Sequence, residues 1–288
     1  MIRYVANASD TNDVYSFFLP LVSIVWRKFI GYEPISLLYG SENDWLSNEK
    51  LRFILDNTKT TSRVEFVAPV PPREIHAVTK ISRFFACALS DIEPSDYILT
   101  SDVDMIPLNR GYFWQQDMSK KIHLFGADAY SEIHKGIVPP KFPACYIGAK
   151  AEDWKDVTGI SDKGFYEEFQ PVMRIRSDEL DDDEMWVGSK IKHHEYFRGD
   201  VISNNGKYTK GECHLIIRTW PNGTPPGRID REHWRFLGDR SMIDCHAFKP
   251  GYKSLDTLRR IFEVYFPEIL TYFDYYTRQF MLLKRSVG

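Results

Sequence analysis

A chain of 288 residues is long enough to bury a sizeable core, and 43% hydrophobic against 27% charged residues excludes a disordered protein. The formal net charge of -3, with Lys and Arg scattered along the chain, excludes a general electrostatic binder of nucleic acid, so any phosphate has to be met by local groups. The four cysteines, Cys87, Cys145, Cys213 and Cys245, show neither C-x-x-C spacing nor the density of a disulfide scaffold and read as free thiols.

Met1–Asp10 has no charged segment followed by a long apolar run, so the expected location is cytoplasmic and the Asn7-Ala-Ser and Asn222-Gly-Thr sequons are expected to go unused. Residues Arg3 to Ala6 read as a strand, followed by a helical pattern from Val14 to Phe29. Pro34 to Tyr39 reads as a second strand closed by Gly40, Glu49 to Asn57 as a helix, and Val64 to Val67 as a third strand. From Ala77 to Leu89 apolar residues recur at helical spacing with Lys80 and Arg83 on one turn, and the strand Tyr97–Thr100 follows.

This alternation predicts an α/β fold with a mostly parallel central sheet flanked by helices, in which ligands bind beyond the carboxyl ends of the strands. The second half is less regular, with helical patterns over Asp183–Lys192 and Leu255–Leu283; the aromatic stripe of the latter reads as core or interface, and Pro267 with several charges excludes a spanning helix. A single domain is expected, with residues 1–110 as a nucleotide-sugar-binding half and 111–288 as an acceptor-binding half.

The segment Tyr97-Ile-Leu-Thr-Ser-Asp102-Val-Asp104 runs a strand directly into two carboxylates separated by one residue. Once the chain leaves a sheet, acids at i and i+2 can face one crevice, and hard oxygen ligands suit Mg2+ or Mn2+ that also binds a diphosphate. A turn with solvated acids is the alternative for a bare D-x-D. The acidic run Asp178–Glu184 before Met185 and Trp186 reads as a helix N-terminus, where carboxylates favour the positive dipole end.

These residues resemble the GT-A family of glycosyltransferases, in which a D-x-D motif ends a strand, follows a helix and holds a metal against the donor diphosphate. The resemblance implies a metal shell of Asp102, Asp104 and, from Asp244-Cys-His246, the imidazole of His246, with Mn2+ or Mg2+ as cofactor and a nucleotide sugar, best a UDP-sugar, as donor. It implies donor contacts from Ala6, Asn7, Ala8, Lys80, Arg83, Ser101 and Asp102, and from Cys145 and Tyr146 in the small-residue segment Phe142–Lys150. It also implies a catalytic base in the acidic run, with Asp183 first and Asp182 and Glu184 as its neighbours, for inverting transfer to a hydroxyl of a glycan or glycoconjugate. The loop holding Arg228, Asp230 and Trp234 reads equally as a sugar contact or a salt-bridge cluster.

A sugar-phosphate nucleotidyltransferase shares the fold and metal chemistry but favours a glycine-rich phosphate loop, where this chain has Ala6-Asn-Ala-Ser-Asp10. A silent carbohydrate-binding protein would have no need of the metal and acidic residues. Neither nucleic acid nor a transmembrane segment is expected.

Overall fold

The computed structural model describes residues 1–67, 75–130, 133–136, 141–172, 183–204, 207–218, 227–229 and 242–285. Among them are the strands β1 (Arg3–Ser9), β2 (Glu33–Tyr39), β3 (Arg63–Val67), β4 (Tyr97–Thr100), β5 (Met105–Pro107), β6 (Ile122–Phe125), β7 (Ile147–Lys150), β8 (Val201–Asn204), β9 (Lys207–Lys210), β10 (Cys213–Ile216) and β11 (Asp244–His246). The chain divides into two compact units that interleave in sequence. The first comprises 1–6, 70–101 and 114–226, the second 7–69, 102–113 and 227–288.

In the first unit, residues 3–6 of β1 pair in parallel with β4, Val5 opposite Leu99 and Ala6 opposite Thr100. Strand β7 inserts between β4 and β6, antiparallel to both. Parallel β10 follows β6, and β9 and β8 close the edge in antiparallel fashion. The α/β architecture expected from the sequence is thus present, with parallel pairing at β1–β4 and antiparallel pairing where β7 enters. All four residues of β4 are buried, as expected of a strand covered on both faces. The helix Ala151–Thr158 covers it and donates the Trp154 indole N–H to the Ile98 carbonyl at 2.9 Å. Gly148 lies against Tyr97 so closely that a Cβ there would stand 2.0 Å from the phenol oxygen, which accounts for the glycine in a core strand.

In the second unit β2 and β3 run parallel, and β1 continues beside β2 as Asn7, Ala8 and Ser9. The helix Glu49–Thr61 begins at Asn48, whose side chain accepts the Leu51 N–H, and ends four residues later than its apolar pattern suggests. The Leu255–Leu283 pattern resolves into the helices Leu255–Tyr265 and Leu270–Arg285, with the break at Pro267. Tyr276 and Phe280 from the last helix pack on Phe17, and the Tyr276 hydroxyl donates to the Phe17 carbonyl at 2.9 Å. The stripe is therefore core. Among the described residues no helix is long and apolar enough to cross a membrane. All four cysteines are buried, and none is joined in a disulfide.

Two histidines meet across the first unit's β6–β10 ladder, where His123 stands opposite His214. Both hold the backbone of Asp117. Its N–H donates to His214 Nδ1 at 3.1 Å, and its carbonyl pairs with His123 Nε2 at 2.9 Å. Burial, then the neighbouring His123, push His214 down to about 4 from an ordinary 6.5. Because the unfolded chain takes up the proton first, this contribution is full above pH 6.5 and is lost as pH falls toward 4. Urea unfolding is expected to show stability falling between pH 6.5 and 4.5 by up to about 1.4 kcal/mol per pH unit from this group. His214→Asn is expected to flatten that slope; an unchanged slope in the variant would place the proton uptake elsewhere.

Candidate metal and donor site

After β4 and Ser101, which end a segment of the first unit, the second unit's chain turns at Asp102, with the Met105 N–H returning to the Asp102 carbonyl at 3.2 Å, before entering β5. Strand β11 pairs antiparallel with β5 and sets His246 opposite Met105, Cys245 opposite Ile106 and Asp244 opposite Pro107. The ladder extends one step further, where the Ala247 N–H donates to the Asp104 carbonyl at 2.8 Å. A short two-stranded ribbon thereby carries His246 to the second acid of the D-V-D segment. His246 Nε2 lies 3.3 Å from Asp104 Oδ2, and Lys249 Nζ lies 2.5 Å from the same oxygen.

Asp104 is only 3% exposed. Burial by itself raises a carboxyl group's pKa, but the adjacent His246 imidazole and the Lys249 charge outweigh it and hold Asp104 below the ordinary carboxylate range. The Lys249 ammonium also stands over the Tyr15 ring, 4.3 Å from its centroid. Asp102 is half-buried. An Asp104 carboxylate and a His246 imidazole facing one another offer the oxygen and nitrogen donors that Mn2+ or Mg2+ accepts. Among the described residues no group of three or more His, Cys, Asp and Glu side chains is placed to hold a metal ion.

Asn7, at the point where β1 enters the second unit, is fully buried, and neither atom of its carboxamide has a hydrogen-bond partner. Such a group costs about 1–3 kcal/mol when left unsatisfied, which sets it apart from ordinary core residues. Its neighbour Ala8 is half-buried. Arg228, from the charged loop, forms a two-pronged pair with buried Asp244, at 2.8 Å for both contacts. This favours the salt-bridge reading of Arg228; Asp230 and Trp234 lie outside the described residues.

In the first unit the helical pattern of Ala77–Leu89 divides into an α-helix, Ile75–Ser82, and a 3-10 segment, Arg83–Ala88. Arg83 is buried at the junction of the two. Its guanidinium pairs with the Asp183 carboxylate at the start of the helix Asp183–His193, and Lys80 Nζ stands 4.0 Å from the other Asp183 oxygen. The side chains of Arg83 and Asp183 are 3% and 9% exposed, against 60% for Lys80. Two residues assigned to the donor and one assigned as base are thus brought into one cluster.

Glu184 turns to Lys141, at 2.8 Å, and accepts the Tyr130 hydroxyl at 2.9–3.0 Å. Asp182 lies outside the described residues. The Ser101 N–H donates to the Ala6 carbonyl at 2.9 Å. Cys145 and Tyr146 form a buried turn tied to β4 by the Thr100 hydroxyl, which donates to the Ala144 carbonyl at 2.8 Å. Lys249 is the residue that sequence reasoning missed. Its signal was its place three residues after His246, in an otherwise unremarked Lys-Pro pair.

No family model and no curated protein matches the chain. Solved structures with a similar course of the chain include the galactosyltransferase LgtC in complex with donor and acceptor sugar analogues. It is 14% identical, with 82% of this chain and 79% of that one covered and a TM-score of 0.42. Mouse xyloside xylosyltransferase 1 in its apo form is 10% identical over 85% of this chain and 97% of that one, with a TM-score of 0.41. A Drosophila β1,4-galactosyltransferase 7 mutant in complex with manganese, UDP-Gal and xylobiose is 14% identical over 62% and 61%, with a TM-score of 0.29. These similarities are remote, and the chemistry rests on the side chains.

Removing one member of a buried ion pair leaves the other charge uncompensated, typically at a cost of about 3–5 kcal/mol. Arg83→Met is expected to fall in that range in urea unfolding, whereas Lys80→Met, whose ammonium is largely solvated, is expected to lose less than about 1 kcal/mol. Equal losses for the two variants would contradict the assignment of Arg83 as the principal partner of Asp183.

Proposed function

We propose that the protein is a divalent-metal-dependent glycosyltransferase that moves a sugar from a nucleoside diphosphate, best a uridine one, to a hydroxyl of a glycan or glycoconjugate, with inversion. The observation that supports this reading most is the convergence of His246 on the buried Asp104 carboxylate at the end of the D-V-D segment. In this reading Asp104 and His246 hold Mn2+ or Mg2+, with Asp102 joining directly or through water. The ion would supply Lewis-acid charge for a departing nucleoside diphosphate.

The chain's own groups have separate tasks in the proposed reaction. Asn7, with a carboxamide that makes no protein hydrogen bond, and its neighbours Ala6 and Ala8 are assigned to the nucleoside, together with Ser101 and Asp102. Lys80 and Arg83 are assigned to donor charge, and Cys145 and Tyr146 to the donor sugar. Asp183 is assigned as the base that takes the acceptor proton. The pairing with Arg83 orients its carboxylate and leaves lone pairs for a hydroxyl. Glu184 and Asp182 are the neighbouring alternatives, although Glu184 is already engaged by Lys141 and Tyr130. The division into a donor half, residues 1–110, and an acceptor half, residues 111–288, belongs to the same proposal, as does a cytoplasmic site of action.

A panel of nucleotide sugars, assayed for hydrolysis and transfer with Mn2+ and with a chelator, tests the reading. One donor is expected to react only with metal. Asp104→Ala is expected to lower its turnover by about 10²-fold or more, since several kcal/mol of charge stabilisation are lost at about 1.4 kcal/mol per factor of ten. Activity indifferent to both chelator and Asp104→Ala would sink the proposal.

A further inference from the structure

We propose that Lys249 is a built-in counter-ion of Asp104 that competes with a divalent cation for the carboxylate and must leave it when the cation binds. This rests on the reading that Asp104 and His246 take such a cation. The decisive feature is that Lys249 Nζ and His246 Nε2 approach the same oxygen, Asp104 Oδ2, at 2.5 and 3.3 Å. An ion bound between that oxygen and the imidazole would stand within a few ångströms of the ammonium. Two like charges at such separation, in a site whose carboxylate is almost fully withdrawn from water, repel strongly.

Lysine suits such a role because its charge sits on a flexible four-carbon stem and can swing without moving the backbone. Its side chain is 20% exposed, so solvent is within reach, and the Tyr15 ring beneath it offers the ammonium a second support after release. The arrangement keeps the buried carboxylate neutralised whether or not metal is bound.

The test compares wild type, Lys249→Met and Lys249→Arg without any nucleotide, reading Mn2+ affinity by electron paramagnetic resonance and melting temperature with and without Mn2+. Lys249→Met is expected to melt below wild type in the absence of metal. It is expected to recover on adding Mn2+ and to bind Mn2+ roughly tenfold tighter or more, because a like charge has been removed from the site. Lys249→Arg, which keeps the charge, is expected to stay near wild type in both readouts. If wild type binds Mn2+ in a manner lost in Asp104→Asn but Lys249→Met binds no tighter, this inference is overturned and the metal reading stands. If none of the proteins binds Mn2+, both fall.

Discussion

The Asp104 carboxylate is the constraint around which the second unit's chemistry is arranged. A buried carboxylate is costly unless it is matched by positive charge and polar partners, and here the Lys249 ammonium supplies the charge while the His246 imidazole stands beside the same oxygen. The strand pair β5–β11 exists at the right place to provide them. Its register sets His246 beside Asp104, and the bond from the Ala247 N–H to the Asp104 carbonyl fixes the backbone from which Lys249 then reaches back. Changing the register by one residue would turn His246 to the other face of the ribbon and remove the convergence.

The first unit solves the same problem with different groups. Asp183 is buried at a helix start, and Arg83, the first residue after the helix carrying Lys80, pairs with it. A guanidinium is always charged and presents several donors, so it satisfies a buried carboxylate more completely than the exposed ammonium of Lys80. The acids singled out from the sequence, Asp183 in the first unit and Asp104 in the second, are thus both buried beside cationic side chains, as are Asp153 beside Lys121 and Asp244 beside Arg228.

How much of this was legible in the sequence follows from the range of the interactions. Strand β4 and the D-V-D segment stand in plain view, because a short strand-forming run, Tyr97–Thr100, leading into two acids is a local signal. His246 was legible as the imidazole of a Asp-Cys-His segment late in the chain. The pairing of β5 with β11 was not, since strands of three residues are too short for alternation to show. The Arg83–Asp183 pair joins residues 100 apart, which no local periodicity encodes. Strand β7 shows the same limit: its small, buried residues announce a core strand but not that it enters antiparallel between β4 and β6. Lys249 was missed because a lone lysine on an irregular segment carries no pattern, and only the fold puts it on Asp104. The interleaving of the two units was equally hidden, because it depends on which segments pack together and not on composition.

The most direct measurement is anomalous diffraction at the manganese edge from crystals grown with Mn2+ and a nucleoside diphosphate. The account requires an anomalous peak at coordinating distance from both the Asp104 carboxylate and His246 Nε2, with the diphosphate oxygens completing the shell. A peak at another site, or a diphosphate bound with its metal away from Asp104, would contradict it.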